Sequence, residues 1–144
     1  MSEWFKVGVS YEKTLEDGKV KKVKECFLVD ALSVTEAEAR LIKEVTPLIS
    51  GEFKVNAVNE ENITELFKSK TGGYWFKVKV SMTVIDEVGK EKTSRYVMCV
   101  QCEDIRNVLS RLDECLADTM SDYVVNSVVE TKYLDVFEYT PEAN

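Results

Sequence analysis

The chain has 144 residues, 31% of them charged and 44% hydrophobic, with a net charge of −7 and no histidine. That length makes one domain, or two small halves sharing a core. The acidic balance argues against nucleic-acid affinity built on counterion release, and the missing histidine removes the commonest general base and metal ligand.

Residues 3–12 alternate. Phe5, Val7, Val9 and Tyr11 take one face, and Trp4, Lys6, Gly8, Ser10 and Glu12 the other, which predicts a half-buried strand. Glu16-Asp17-Gly18-Lys19 is a hairpin turn, with Gly18 free to take positive φ. Residues 20–31 return as a second strand. Its stretch Cys26-Phe27-Leu28-Val29 is apolar on both faces, as in a strand covered on both sides. Ser33-x-x-Glu36 is a capping box. Val34, Ala37, Leu41 and Val45 follow it as one helical stripe that Pro47 tightens or ends. Residues 53–59 form a third strand, Ile63 to Phe67 a short strand or helical turn, and residues 68–73 a linker.

The second half repeats this grammar. Trp4-Phe5-Lys6-Val7 returns as Trp75-Phe76-Lys77-Val78, Gly18-Lys19 as Gly89-Lys90, and Arg40-Leu41 as Arg111-Leu112, all at an offset of 71. After one deletion near Gly51 the offset becomes 70, and Val55-Asn56 meets Val125-Asn126. Phe76, Val78, Val80 and Met82 are expected to face inward, and residues 91–102 to return as a strand. Asp104 caps a helix whose stripe is Ile105, Val108, Leu112 and Leu116. Residues 123–131 form the last long strand, and Pro141-Glu142-Ala143-Asn144 a frayed end. The expected fold is α+β: a tandem duplication of a β-β-α-β unit, 1–70 and 71–144, forming one pseudo-two-fold domain with antiparallel sheet and two helices. A half of about 70 residues is marginal alone, so the two halves are expected to pack together, by pairing edges into one sheet or by stacking.

Read this far, the chain resembles a family of small proteins from gut anaerobes of the Bacteroides group and their phages, known only as a domain of unknown function. The matching stretches are Trp4-Phe5-Lys6-Val7, Tyr11 to Lys19, Leu28 to Ser33 running into Thr35 to Arg40, Ile49 to Phe53, and Asp135-Val136-Phe137. The resemblance covers nearly the whole chain and implies a bacterial or phage origin. It brings no activity, cofactor or catalytic residue.

Cys99-Val100-Gln101-Cys102 is formally a CxxC, but it falls in a strand, where residues i and i+3 point to opposite faces. Its counterparts in the first half, Leu28 and Ala31, are plain core residues, so no metal is expected there. The carboxylates Glu60, Glu61, Asp113, Glu114, Asp118 and Asp122 read as solvated faces. Nothing resembles a nucleophile signature or a phosphate loop, so the chain is expected to be no enzyme and to need no cofactor. Asn56 and Asn126 read as structural.

The candidate binding residues are Trp4, Lys6, Trp75, Lys77 and Lys79. An aromatic beside a lysine on an open sheet can grip a protein or stack a base; the favoured reading is structural, with each tryptophan capping the sheet end or packing where the halves meet. The expectation is a cytoplasmic, non-enzymatic binding protein with a protein partner, acting as an accessory module. No apolar run approaches the ~20 residues that span a bilayer, and the first residues lack a leader pattern, so no membrane is expected. The alternative is a single-stranded nucleic-acid binder, with Lys19, Lys21, Lys22, Lys24, Lys90, Lys92 and Arg95 as a phosphate rim. A small-ligand pocket at the seam between repeats is a third possibility.

Overall fold

In a computed structural model, residues 3–118 and 122–138 are described; the frayed end expected at Pro141 to Asn144 lies outside them. The protein is α+β, with eight strands in two four-stranded sheets and two short helices among the described residues. The chain divides into two compact units: Met1–Asn62 with Lys132–Asn144, and Ile63–Thr131.

In the first unit, strands β1 (Glu3–Thr14) and β2 (Val20–Ala31) form a long hairpin. Gly18, at φ +81°, closes its turn, and the Asp17 carboxylate accepts from the Lys19 amide at 3.0 Å. Ser33 caps α1 (Val34–Val45), its hydroxyl accepting from the Glu36 amide at 3.1 Å. Ala37, Leu41 and Val45 are buried against Phe5, Val7, Val9, Phe27 and Val29. Val34 departs from the expected stripe and is exposed, as the first helical residue, next to the cap. β3 (Phe53–Glu61) then pairs antiparallel with β1.

The second unit holds β4 (Glu65–Phe67), β5 (Tyr74–Ile85), β6 (Glu91–Cys102), α2 (Val108–Cys115) and β7 (Tyr123–Glu130). Asp104 caps a 3₁₀ turn, Ile105–Asn107, that precedes α2, and its carboxylate accepts from the Arg106 amide at 2.8 Å. The 3₁₀ turn takes Ile105 off the stripe and exposes it. Val108, Leu112 and Leu116 are buried with Phe76, Val78, Val80, Met98 and Val100, and Met82 packs half-buried against them.

Each sheet also holds a strand that an antiparallel reading does not contain. β8 (Tyr133–Phe137) pairs parallel with β2 in the first unit, and β4 pairs parallel with β6 in the second. The strand orders are β3-β1-β2-β8 and β4-β6-β5-β7. The expected antiparallel sheet is thus two mixed sheets, each completed by the short strand that follows the other sheet's last long strand in sequence.

Chain reach explains this exchange. β3 and β2 both run antiparallel to β1, so β3 is parallel to the position beyond β2, and a parallel connection takes a dozen or more residues. Only Asn62, Ile63 and Thr64 separate β3 from β4. Glu61 lies level with Asp30, through Trp4. In the second unit Glu65 lies opposite Met98, which corresponds to Phe27 at the offset of 71. For β4 to fill its own sheet it would have to cross three strand spacings and drop three residues, about 17 Å. Four Cα steps extend at most ~14 Å.

Two devices hold the exchanged strands. Phe27 and Phe137 stack with ring centroids 5.7 Å apart. Arg40, on α1, donates to the Glu138 carbonyl at 2.9 Å, and Arg111, on α2, to the Lys68 carbonyl at 2.5 Å. Both carbonyls lie just past the C-terminal end of a short strand.

Candidate functional site

The five candidate residues stand on the strand faces turned away from the helices, but in two separate sheets. Trp4 is half-buried and lies between Asp30 and Glu61; Lys6 is exposed and lies between Leu28 and Asn59. In the second unit Trp75 is only 4% exposed. Its carbonyl accepts from both the amide and the hydroxyl of Thr131, at 2.9 and 2.7 Å. Lys77 is half-buried opposite the buried Cys99, while Lys79 is exposed between Val97 and Ser127. Each strand therefore carries an aromatic with one or two lysines, as the alternation predicts. Trp4 and Trp75 belong to different sheets, and Trp75 is buried.

Next to these faces, each last long strand carries a β-bulge. The register between β1 and β3 shifts at Gly8/Val9 and skips Asn56; that between β5 and β7 shifts at Lys79/Val80 and skips Asn126. The extra residue turns out of the ladder, and its side chain is then satisfied locally. Ser10 donates to the Asn56 Oδ1 at 3.2 Å, and Ser81 to the Asn126 Oδ1 at 2.6 Å. This accounts for an identical Ser–Asn pair in both halves.

The two hairpin tips differ. Both turns use glycine at φ +81° and a carboxylate that accepts backbone amides; in the second turn Asp86 accepts from Val88 and Lys90 at 3.0 and 2.8 Å. The first tip is richer in lysine, with Lys13, Lys19, Lys21, Lys22 and Lys24 exposed beside Leu15 at 39% and Val20 at 60% exposure. The second holds Val84, Ile85 and Val88 in solvent, Ile85 at 67% and Val88 at 82% exposure. At the offset of 71 their counterparts are Lys13, Thr14 and Asp17.

The remaining candidates are structural in their surroundings. Cys102 packs in the α2-side core, whereas Cys99, three residues away on the same strand, lies outside that cluster on the opposite face. Among the described residues no three Cys, Asp or Glu side chains gather as a metal-ligating group. Burial pushes the Cys26 and Cys115 thiols up. Asp113 accepts the Tyr123 hydroxyl, and Glu25 that of Tyr11; the carboxylate partner in each pair raises the phenol, Tyr123 to about 12. Two open hollows of about 430 and 690 Å³ flank the end of β1 and share Tyr11, Glu12, Thr14 and Ser50. Neither brings a catalytic pair together. No helix among the described residues is long and apolar enough to cross a membrane.

Residues 3–139 match the family model described as Domain of unknown function (DUF4494). The chain belongs to that family. No curated protein and no solved structure matches it.

For this member of the family, the exposed aliphatic tip and the bulged edge strand are features that sequence reasoning passed over. A signal for the first was present: valine and isoleucine stand in the second half where the first half has lysine, threonine and aspartate. The bulge had only the identical Asn56 and Asn126 as its mark.

Proposed function

We propose that this protein is a non-enzymatic binding module whose partner is another protein. The observation that carries the reading is the second hairpin tip. Val84 and Ile85, consecutive at the end of β5 and so on opposite faces of the hairpin, and Val88 in its turn stand in solvent within five residues, and exposed aliphatic side chains gathered at one hairpin tip suit burial against a partner. Aliphatic side chains have no π-face for a base, so the tip suits a protein surface. The acidic net charge supports the same reading. Lys79, exposed on the same strand β5, is a polar contact available to such a partner.

We also read the chain as a tandem duplication of a β-β-α-β unit. The support is the equal register of the two hairpins, in which Trp4 lies opposite Asp30 and Trp75 opposite Gln101, and the matching bulges. A bacterial or phage accessory role, in the cytoplasm, fits the family resemblance.

One observation favours a second reading, single-stranded nucleic-acid binding: the exposed lysines of the first hairpin. The burial of Trp75 weighs against it, because stacking needs an accessible ring.

The test is capture from the native host with full-length protein, wild type against Ile85→Asp and Val88→Asp, reading both protein and nucleic acid. Loss of a captured protein in the folded variants supports the proposal. Capture of nucleic acid that falls with salt and ignores the tip variants, together with anisotropy of labelled 20-mers tighter than about 10 µM at physiological salt, promotes the second reading.

A further inference from the structure

We propose that the outer edge of β7 is a self-pairing strand: a second copy of this chain adds its own β7 antiparallel, with Val124 of one copy opposite Val129 of the other. This goes beyond the protein-partner reading and does not depend on it.

Among the described residues β7 is the edge of its sheet, with β5 on one side and no strand on the other. Open edges are templates for strand addition, and proteins usually blunt them with charge. The other long edge, β3, is blunted in this way by exposed Lys54 and Glu60. β7 carries charge only at its last residue, the exposed Glu130; from Tyr123 to Val129 it has none, in a chain that is 31% charged. It also holds Val124 at 62% and Val129 at 56% exposure.

The bulge makes these two valines a matched pair. Residues five apart on a regular strand face opposite sides. Here the skipped Asn126 resets the alternation, so Val124 lies opposite Ser81 and Val129 opposite Lys77. Ser81 and Lys77 are four apart on β5, so the two valines share one face and one direction of their backbone amides. Val124-Val125-Asn126-Ser127-Val128-Val129 then reads apolar, apolar, polar, polar, apolar, apolar from either end. A two-fold axis between Asn126 and Ser127 sets valine opposite valine at all four outer positions and Asn126 opposite Ser127 at the centre. That is the self-complementarity an isologous contact requires, and it selects a second copy over an unrelated strand, which has no use for a palindrome.

The bulge interrupts the ladder at the axis, leaving a short paired stretch on each side, so the dimer is weak. Each copy carries −7, and the uncharged strip keeps like charges from meeting directly. Added salt then screens the remaining repulsion and strengthens the dimer.

The experiment is sedimentation velocity of the full chain from about 5 to about 300 µM. The expected result is a monomer–dimer equilibrium with a Kd of about 10–100 µM that tightens as salt is raised. V124K/V129K and V124E/V129E each set like charges opposite one another and should weaken the dimer at least about tenfold, while their equimolar mixture should recover it as a heterodimer. Circular dichroism and urea unfolding confirm that the variants are folded. Hydrogen exchange on the wild type supplies a readout without mutation: protection of β7 amides should rise with protein concentration and that of β3 amides should not. A wild type monomeric at about 300 µM overturns the proposal. So does a dimer indifferent to both double variants, or concentration-dependent protection confined to another strand.

Discussion

Tyr123 and Asp113 show what a single contact does at the residue scale. The phenol donates to the carboxylate, and ionising it would set two negative charges face to face, so Tyr123 is pushed up to about 12. Its folded value exceeds the ~10 of an unfolded tyrosine. The stability from this contact is therefore complete below about pH 10 and is lost as pH rises towards about 12. Tyr123→Phe should cost about 1 kcal/mol or less at neutral pH, since the pair is solvent-screened, and the gap between wild type and variant should close across that window. Urea midpoints of both proteins at several pH values measure this, and a gap that persists at about pH 12 would show that the hydroxyl is not the cause. At this scale the sequence is readable where chemistry is local. Ser33 and Asp104 announce their caps and Gly18 and Gly89 their turns, because each acts within a few residues. Val34 and Ile105 fall off the stripes because periodicity does not show where the packed helix begins: Val34 is the first residue after the cap and Ile105 lies in the 3₁₀ turn before α2.

At the scale of elements, the helices are held by narrow aliphatic stripes. Leu41 and Leu112 are fully buried at equivalent positions. Leu→Ala at either should cost about 2–5 kcal/mol, from lost burial and the cavity left behind; a loss below about 1 kcal/mol at both, by urea unfolding, would contradict the packing described. The neighbouring arginines do different work. Arg40 and Arg111 reach the carbonyls that close β8 and β4, so Arg40→Ala should speed amide exchange in β8 and leave β4 unchanged, and Arg111→Ala the reverse. The existence of the long strands and helices was legible from alternation and from the 3-4-4 stripe. The bulges were not, because an asparagine in mid-strand has the same pattern whether or not it is skipped. The candidate site was half legible. Alternation places Trp4, Lys6, Trp75, Lys77 and Lys79 on the faces away from the helices, but burial of Trp75 depends on tertiary surroundings that periodicity does not report.

At the scale of the whole molecule, the feature the sequence hides is the destination of its two shortest elements. The half boundaries read from the sequence put residues 63–67 in the first half and 133–137 in the second, and reach forbids either segment from closing that half's own sheet. Cutting the chain between Lys70 and Thr71 tests this directly. The fragment 1–70 retains β1, β2, α1 and β3 but loses β8, leaving the apolar Leu28 edge of β2 open; the fragment 71–144 likewise loses β4 beside β6. Each carries a strand that only the other can use. Each fragment alone should be poorly stable, as a three-stranded sheet with one helix and an open central edge is marginal. Mixed in equal amounts, the two should combine one to one, because each supplies the strand the other lacks, and should recover a cooperative urea transition. Sedimentation and circular dichroism of the fragments, apart and mixed, give the answer. Two fragments that fold independently and ignore each other would mean that each short strand can close its own sheet, which four Cα steps are too short to allow.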